Sequence, residues 1–121
     1  MLPAPARLRR QLDFAVTLRS GRRTGRPSLV LYVRPTGAPG RAGLIVSKAV
    51  GGAVVRNRVK RRLRHLVAPR LAGLAADVVL RALPASAGDP GSLDRDLASA
   101  WEWARRAAAA EASLKAGPGA P

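Results

Sequence analysis

The chain has 121 residues, of which 22 are Lys or Arg against 7 Asp or Glu, a formal net charge of +15 on a length that suits one domain. Hydrophobic residues make up 47%, enough to build a core. The absence of Cys excludes disulfides and thiolate chemistry, the single His excludes any site needing two, and no apolar run approaches the ~20 residues of a membrane span.

In chain order, residues 1–6 carry Pro3 and Pro5 and are expected to form a flexible tail. No apolar core follows them, so no signal peptide is expected. A single domain should then occupy residues 7–112. The first helix is predicted over residues 13–19, with Gly21 as its stop signal. Residues 28–34 alternate as a strand, with Leu29, Leu31 and Val33 on one face and Val30, Tyr32 and Arg34 on the other. Turn chemistry at residues 35–40 leads into a second strand over residues 42–48, which should complete a hairpin with the first. An Arg-rich helix follows, then a shorter strand within residues 77–82, closed by Pro84. The last helix is expected to start at an N-cap Ser92, with Asp94 and Asp96 in its first turn. Leu93, Leu97, Trp101 and Ala104 form its apolar stripe, which makes Trp101 a core residue and leaves Trp103 unassigned. Residues 113–121, ending Gly-Pro-Gly-Ala-Pro, read as a second flexible tail.

The charge is concentrated. Residues 1–70 hold 17 of the 22 basic residues and Asp13 as their lone acid. Solubility alone gives no reason for such asymmetry, and a polyanion-binding surface does. The excess of 19 Arg over 3 Lys follows from a GC-rich coding bias as readily as from function. The segment Gly51-Gly-Ala-Val-Val-Arg-Asn-Arg-Val-Lys-Arg-Arg-Leu-Arg-His-Leu-Val67 carries the sharpest signal. On a helical wheel Val55, Val59, Leu63, Leu66 and Val67 share an arc of roughly 120°. Asn57, Arg58, Lys60, Arg61, Arg62, Arg64 and His65 take the other side, with Arg56 at the boundary. Like charges at i,i+3 and i,i+4 cost roughly 0.2–0.5 kcal/mol per pair, and no acid in the helix offsets them. A bound polyanion would. Gly51 and Gly52 also let an anion approach the helix N-terminus.

Together with the preceding Gly43-Leu-Ile-Val-Ser-Lys48, this segment resembles the signature of the protein subunit of bacterial ribonuclease P. Arg56-Asn57-Arg58, Val59, Lys60-Arg61 and Arg64 carry it, and Leu8-Arg-Arg-Gln-Leu-Asp-Phe14 and Asp77-Val-Val-Leu-Arg-Ala82 extend it over about residues 7–106. Gly52 departs from the more frequent Asn, Ala49 from a second Lys, and Leu18 from a second aromatic residue. The resemblance implies an α/β (α+β) sandwich, in which two to three helices pack on a small mixed sheet of about four strands. It implies one short early strand that the pattern does not place. It also implies a left-handed β-α-β crossover through the Arg-rich helix, against the usual hand.

The function implied is that of an accessory subunit in an endoribonuclease whose catalytic centre is an RNA, with Mg²⁺ bound mainly by that RNA. The particle removes 5′ leaders from precursor tRNA in the cytoplasm. The residues agree that the protein has no catalytic group. Residues 1–70 offer Asp13 alone, Asp94 and Asp96 do not share a helix face, and His65 lacks a second His and reads as a surface contact. Arg56, Asn57, Arg58, Lys60, Arg61, Arg62 and Arg64 would meet the catalytic RNA, mostly at phosphates. A cleft between the first helix and the sheet would take the single-stranded leader, with Phe14 and Tyr32 stacking and Arg34 and Lys48 on phosphates. By itself Phe14 reads as core, and Tyr32, sharing a strand face with Arg34, reads as exposed. No protein partner is implied, and metal ligands in the protein are left open, Gly52 removing one polar side chain near the metal- and RNA-facing start of the helix. Two rivals share the charge logic: a general RNA-binding protein without a leader cleft, and a membrane-active amphipathic segment. The second fits poorly with a cationic helix set inside a folded pattern.

Overall fold

The structure is a computed structural model that describes residues 6–8 and 10–116. Three α-helices and four strands follow in the order α1 (Gln11–Ser20), β1 (Arg22–Gly25), β2 (Leu29–Pro35), β3 (Arg41–Ile45), α2 (Ala53–Val67), β4 (Ala76–Ala82) and α3 (Pro90–Ala116). Short 3₁₀ turns at Ala68–Gly73 and Pro84–Ala87 flank β4. The strands form one mixed sheet in the order β1-β2-β4-β3. β2 is antiparallel to both β1 and β4, and β3 runs parallel to β4, so α2 is the crossover of a β-α-β unit. The α+β architecture is the one expected.

The expected hairpin between residues 28–34 and 42–48 does not form. β4 lies between those two strands, and the antiparallel partner of β2 on its other side is the short β1, the strand the sequence pattern did not place. The reason is in β4. Val78 and Leu80 enter one core cluster and Val79 the other, all with no exposed surface. A strand apolar on both faces belongs in the middle of a sheet, and it takes the place next to β2 that adjacency in sequence offered to β3.

The sheet is covered on both faces. Leu29, Leu31 and Val33 of β2 join Val59, Leu63 and Val67 of α2 and Leu93, Leu97, Trp101 and Ala104 of α3 in the main core. On the opposite face Leu8, Tyr32 and Val79 are buried, with Phe14 and Leu18 of α1 against them. Trp103, unassigned from sequence, is half-buried against the main core with the Arg22 guanidinium over its ring, 5.6 Å from the centroid.

Asp77 is the second residue of β4 and is 1% exposed. Its register partners are Arg34 on β2 and Arg41 on β3, and it accepts hydrogen bonds from both: 2.9 Å from Arg34, 2.9 and 2.8 Å from Arg41. Arg41 also lies 3.5 Å from Asp13 of α1. One buried carboxylate thus ties three strands and, through Arg41, a helix. Those bonds offset its desolvation and raise the Arg41 guanidinium above its ordinary pKa.

The last helix begins earlier than expected. Asp89, not Ser92, caps it: its carboxylate accepts from the Gly91 N–H at 2.9 Å, and Pro90 takes the first helical position, where its missing N–H costs nothing. The same helix runs to Ala116, taking in residues 113–116 that the sequence reading assigned to a tail. Ala, Leu and Lys there are good helix formers, and the first breaker is Gly117. At the other end Ala6 packs against the core, inside the expected tail. The remaining tail positions, 1–5 and 117–121, lie outside the described residues.

Candidate nucleic-acid interface

α2 buries Val59, Leu63 and Val67 and half-buries Val55 and Leu66 against the same core, which is the arc read from the wheel. Asn57, Arg58, Arg61, Arg62, Arg64 and His65 are exposed, and Arg56 and Lys60 are half-buried. The entry to the helix depends on Gly51, whose φ of +156° L side chains rarely adopt. A Cβ there would also press on Val55 at 3.0 Å. At the exit Arg70 donates to the Leu66 carbonyl at 2.6 Å, satisfying one of the free carbonyls of the last turn.

Not all of the cations are equally available. Arg62 donates through Nε to Asp94 Oδ1 at 3.0 Å and through a second nitrogen to Asp94 Oδ2. That pair fastens α2 to α3, raises the Arg62 pKa and lowers that of Asp94. Arg56 keeps its Nε buried without a hydrogen-bond partner. Arg56, Arg58, Lys60, Arg61 and Arg64 are in no ion pair among the described residues, and Arg58, Arg61 and Arg64 of these are exposed.

Phe14 projects from α1 onto β3 at Gly43, where a Cβ would sit 2.4 Å from Cε1 and Cζ of the ring. Only a residue without a side chain seats the ring this closely. Around this contact opens a small cleft of about 160 Å³, lined by Arg7, Leu8, Phe14, Gly43, Lys60 and Arg64. Its wall is built by the N-terminal segment, which bonds to β3 through the Leu8 N–H and the Ala42 carbonyl at 3.0 Å. Phe14 is half-buried, so part of the ring faces this space. The cleft therefore joins an aromatic ring from one sheet face to two cations of the Arg-rich helix.

Of the four residues assigned to the leader cleft, Phe14 alone lines this one, and Tyr32, Arg34 and Lys48 are placed elsewhere. Tyr32 is 6% exposed, packed with Leu8 and Val79 and overlain by the Arg81 guanidinium at 6.0 Å. The face it shares with Arg34 is polar only at that end, and α1 covers the rest, so the exposed reading fails. Arg34 is held by Asp77 and serves the sheet. Lys48 is exposed in the turn between β3 and α2. Sequence reasoning missed Gly43, Lys60 and Arg64 as neighbours of Phe14. A glycine inside an alternating strand was the available signal, because it marks a close approach.

The acids are largely committed. Asp13 and Asp77 face arginines across the sheet, Asp89 pairs with Arg95, and Glu102 with Arg105 and Arg106. Asp96 accepts from both the N–H and the hydroxyl of Ser28, at 2.9 and 2.6 Å. Among the described residues no three His, Cys, Asp or Glu side chains converge.

A profile described as ribonuclease P matches residues 2–105. The ribonuclease P protein component of Streptomyces bikiniensis is 54% identical over 113 residues, covering 83% of this chain and 92% of the relative. That of Acidothermus cellulolyticus is 53% identical over 92 residues, 72% of this chain and 77% of the relative. Among solved structures, a ribonuclease P protein from Staphylococcus aureus superimposes with a TM-score of 0.70 at 25% identity, over 87% of this chain and 93% of that one. The protein from Thermotoga maritima shares the fold, with a TM-score of 0.62 at 22% identity over 83% of this chain and 88% of that one.

Proposed function

The chain belongs to the ribonuclease P protein family, the protein components of a tRNA-processing ribonucleoprotein, and from that premise we propose two RNA contacts for it. The exposed side of α2 holds the catalytic RNA, and the Phe14 cleft holds the 5′ leader of precursor tRNA. The observation that carries this reading is the meeting of Phe14 with Lys60 and Arg64 in one cleft. A stacking ring beside two cations is what a single strand needs.

Arg58, Lys60, Arg61 and Arg64 act on phosphates, which confers affinity and register more than sequence choice. Asn57 supplies a hydrogen-bonding edge without charge. Arg56 adds its charge at the boundary of that side, Arg62 acts mainly by its anchoring to Asp94, and Lys48 reaches leader phosphates from its turn. Tyr32 supports the ring of Phe14 from beneath, through the cluster both belong to, and does not stack on RNA. Mg²⁺ is bound by the RNA, whose phosphates offer the oxygen ligands such an ion takes. No step of the hydrolysis passes through a protein side chain. The compartment we infer is the cytoplasm, and among the described residues no helix is long and apolar enough to cross a membrane.

The test is cleavage of a precursor tRNA at low Mg²⁺ by catalytic RNA alone, protein alone and both together. Only the mixture should cut. Cleavage by RNA-free protein that tracks with its point variants overturns the reading, as does a mixture no better than RNA alone.

A further inference from the structure

A second set of cations lies at the edge of the sheet away from α2. Among the described residues β1 pairs with β2 alone, and no strand lies on its other side. Arg22 and Arg23 on it are exposed, as is Arg19 in the last turn of α1. Arg26, half-buried just beyond β1, donates to Ser99 Oγ at 3.0 Å and to Thr24 Oγ1 at 2.5 Å. Register assigns these side chains to faces. Arg22 is opposite Val33, on the face covered by α3, and Arg23 is opposite Tyr32, on the face covered by α1. The edge therefore carries charge on both of its sides, with Arg19 and Arg23 towards α1 and Arg22 and Arg26 towards α3. Among the described residues none of the four is in an ion pair. At ~4.8 Å per strand the two sheet edges stand about 14 Å apart, and α2 leans on the other one.

We propose that this edge is a further RNA-binding surface, beyond α2 and the Phe14 cleft, and that it receives the sugar-phosphate backbone of a double-helical RNA segment; the proposal rests on the RNA-binding reading above. A ridge with cations on both sides meets the two backbones that flank a groove of a duplex. A single strand is the poorer fit. It needs an open aromatic face to stack on, and the ring at this edge, Trp103, is already covered by Arg22. The outward N–H groups of an unpaired strand edge add phosphate donors. With α2 on one duplex and β1 on another, the small domain would act as a cationic spacer that lowers the repulsion between two folded RNAs. The competing account of a charged edge strand is protection against edge-to-edge association, and the experiment separates the two.

Holoenzyme is assembled with the full chain and with three variants. The first carries Arg19→Gln, Arg22→Gln, Arg23→Gln and Arg26→Gln together, and the second carries Lys at the same four positions. The third carries Arg19→Gln and Arg23→Gln only, since these two make no described side-chain contact and their loss leaves Ser99 and Trp103 engaged. Affinity for catalytic RNA, and of the assembled particle for mature tRNA, is measured over a fourfold rise in salt. Four phosphate contacts at a slope of ~0.7–0.9 each make the unaltered chain lose about 50- to 150-fold more affinity over that range than the four-Gln variant. The double variant should show about a 7- to 12-fold difference, and the Lys variant almost none. The RNA whose slope changes is the one that holds the edge. Unchanged slopes with both RNAs overturn the proposal, and self-association of the Gln variants with unchanged RNA affinity assigns the arginines to edge protection instead. An Arg58→Gln/Arg61→Gln control on α2 keeps the two readings apart. If its slope falls while the edge variants hold, only the edge proposal fails; if neither moves, the RNA-binding reading falls with it.

Discussion

Replacing Gly43 by Ala tests the seat of Phe14 directly. The added Cβ would stand 2.4 Å from two ring carbons, whereas carbon atoms pack at about 3.5–4.0 Å. The ring must therefore retreat by about 1 Å or more, and overpacking of this kind costs roughly 1–3 kcal/mol. For a domain of this size each kcal/mol lowers Tm by roughly 4 °C, so a fall of roughly 4–12 °C is expected in a thermal melt. The decisive comparison is with the same substitution in a Phe14→Ala background. With the ring gone the clash is gone, and the Gly43→Ala penalty should shrink to within about 0.5 kcal/mol of zero, the tolerance of additive pairs. The functional arm follows from the same geometry. If the ring stacks on the leader, Gly43→Ala and Phe14→Ala should each weaken precursor tRNA binding to the holoenzyme, by up to about five- to a hundred-fold for one lost stack. Mature tRNA should bind as before. A Gly43→Ala penalty equal with and without Phe14 would refute the contact, and equal losses for precursor and mature tRNA would make Phe14 a packing residue.

Asp77→Asn should destabilise the domain by roughly 1–3 kcal/mol, because it removes the carboxylate charge and one acceptor from the bonds of Arg34 and Arg41; a denaturant midpoint close to that of the unaltered chain would contradict this. Leu63→Asp places a carboxylate at a position with no exposed surface and should abolish the folded near-ultraviolet signal at neutral pH. The Arg62–Asp94 pair has a predictable pH signature. Hydrogen bonding to Arg62 lowers the Asp94 pKa, so its contribution is present above the ordinary carboxylate range near ~4 and is lost as pH falls through the lowered value. The stability gap between the chain and its Asp94→Asn variant should accordingly close on acidification, and a gap of constant size from neutral to acid pH would rule the pair out as its source.

What the sequence determined by itself is what lies within one element. The period of Val55, Val59, Leu63 and Val67 defines a helix and its buried side, and six cations on the remaining surface define its partner, because both follow from spacing along a single axis. The alternation in β2 and the stripe of α3 are legible for the same reason, and the Arg-Asn-Arg signature sits inside one helix. Strand order is of another kind. Adjacency favoured pairing residues 28–34 with 42–48, and only the competition for the doubly buried position, won by Val78, Val79 and Leu80, put β4 between them. Tyr32 and Arg34 changed meaning through that rearrangement. Alternation correctly gave them a common face, but whether α1 covers that face depends on a separate helix, and whether Asp77 faces Arg34 across a register depends on a strand 43 residues away in sequence. The cleft is the clearest case. Phe14, Gly43, Lys60 and Arg64 come from three elements, and the burial of two separate sheet faces brings them to one edge. Local pattern encodes which face a side chain takes, and tertiary packing decides what stands opposite it.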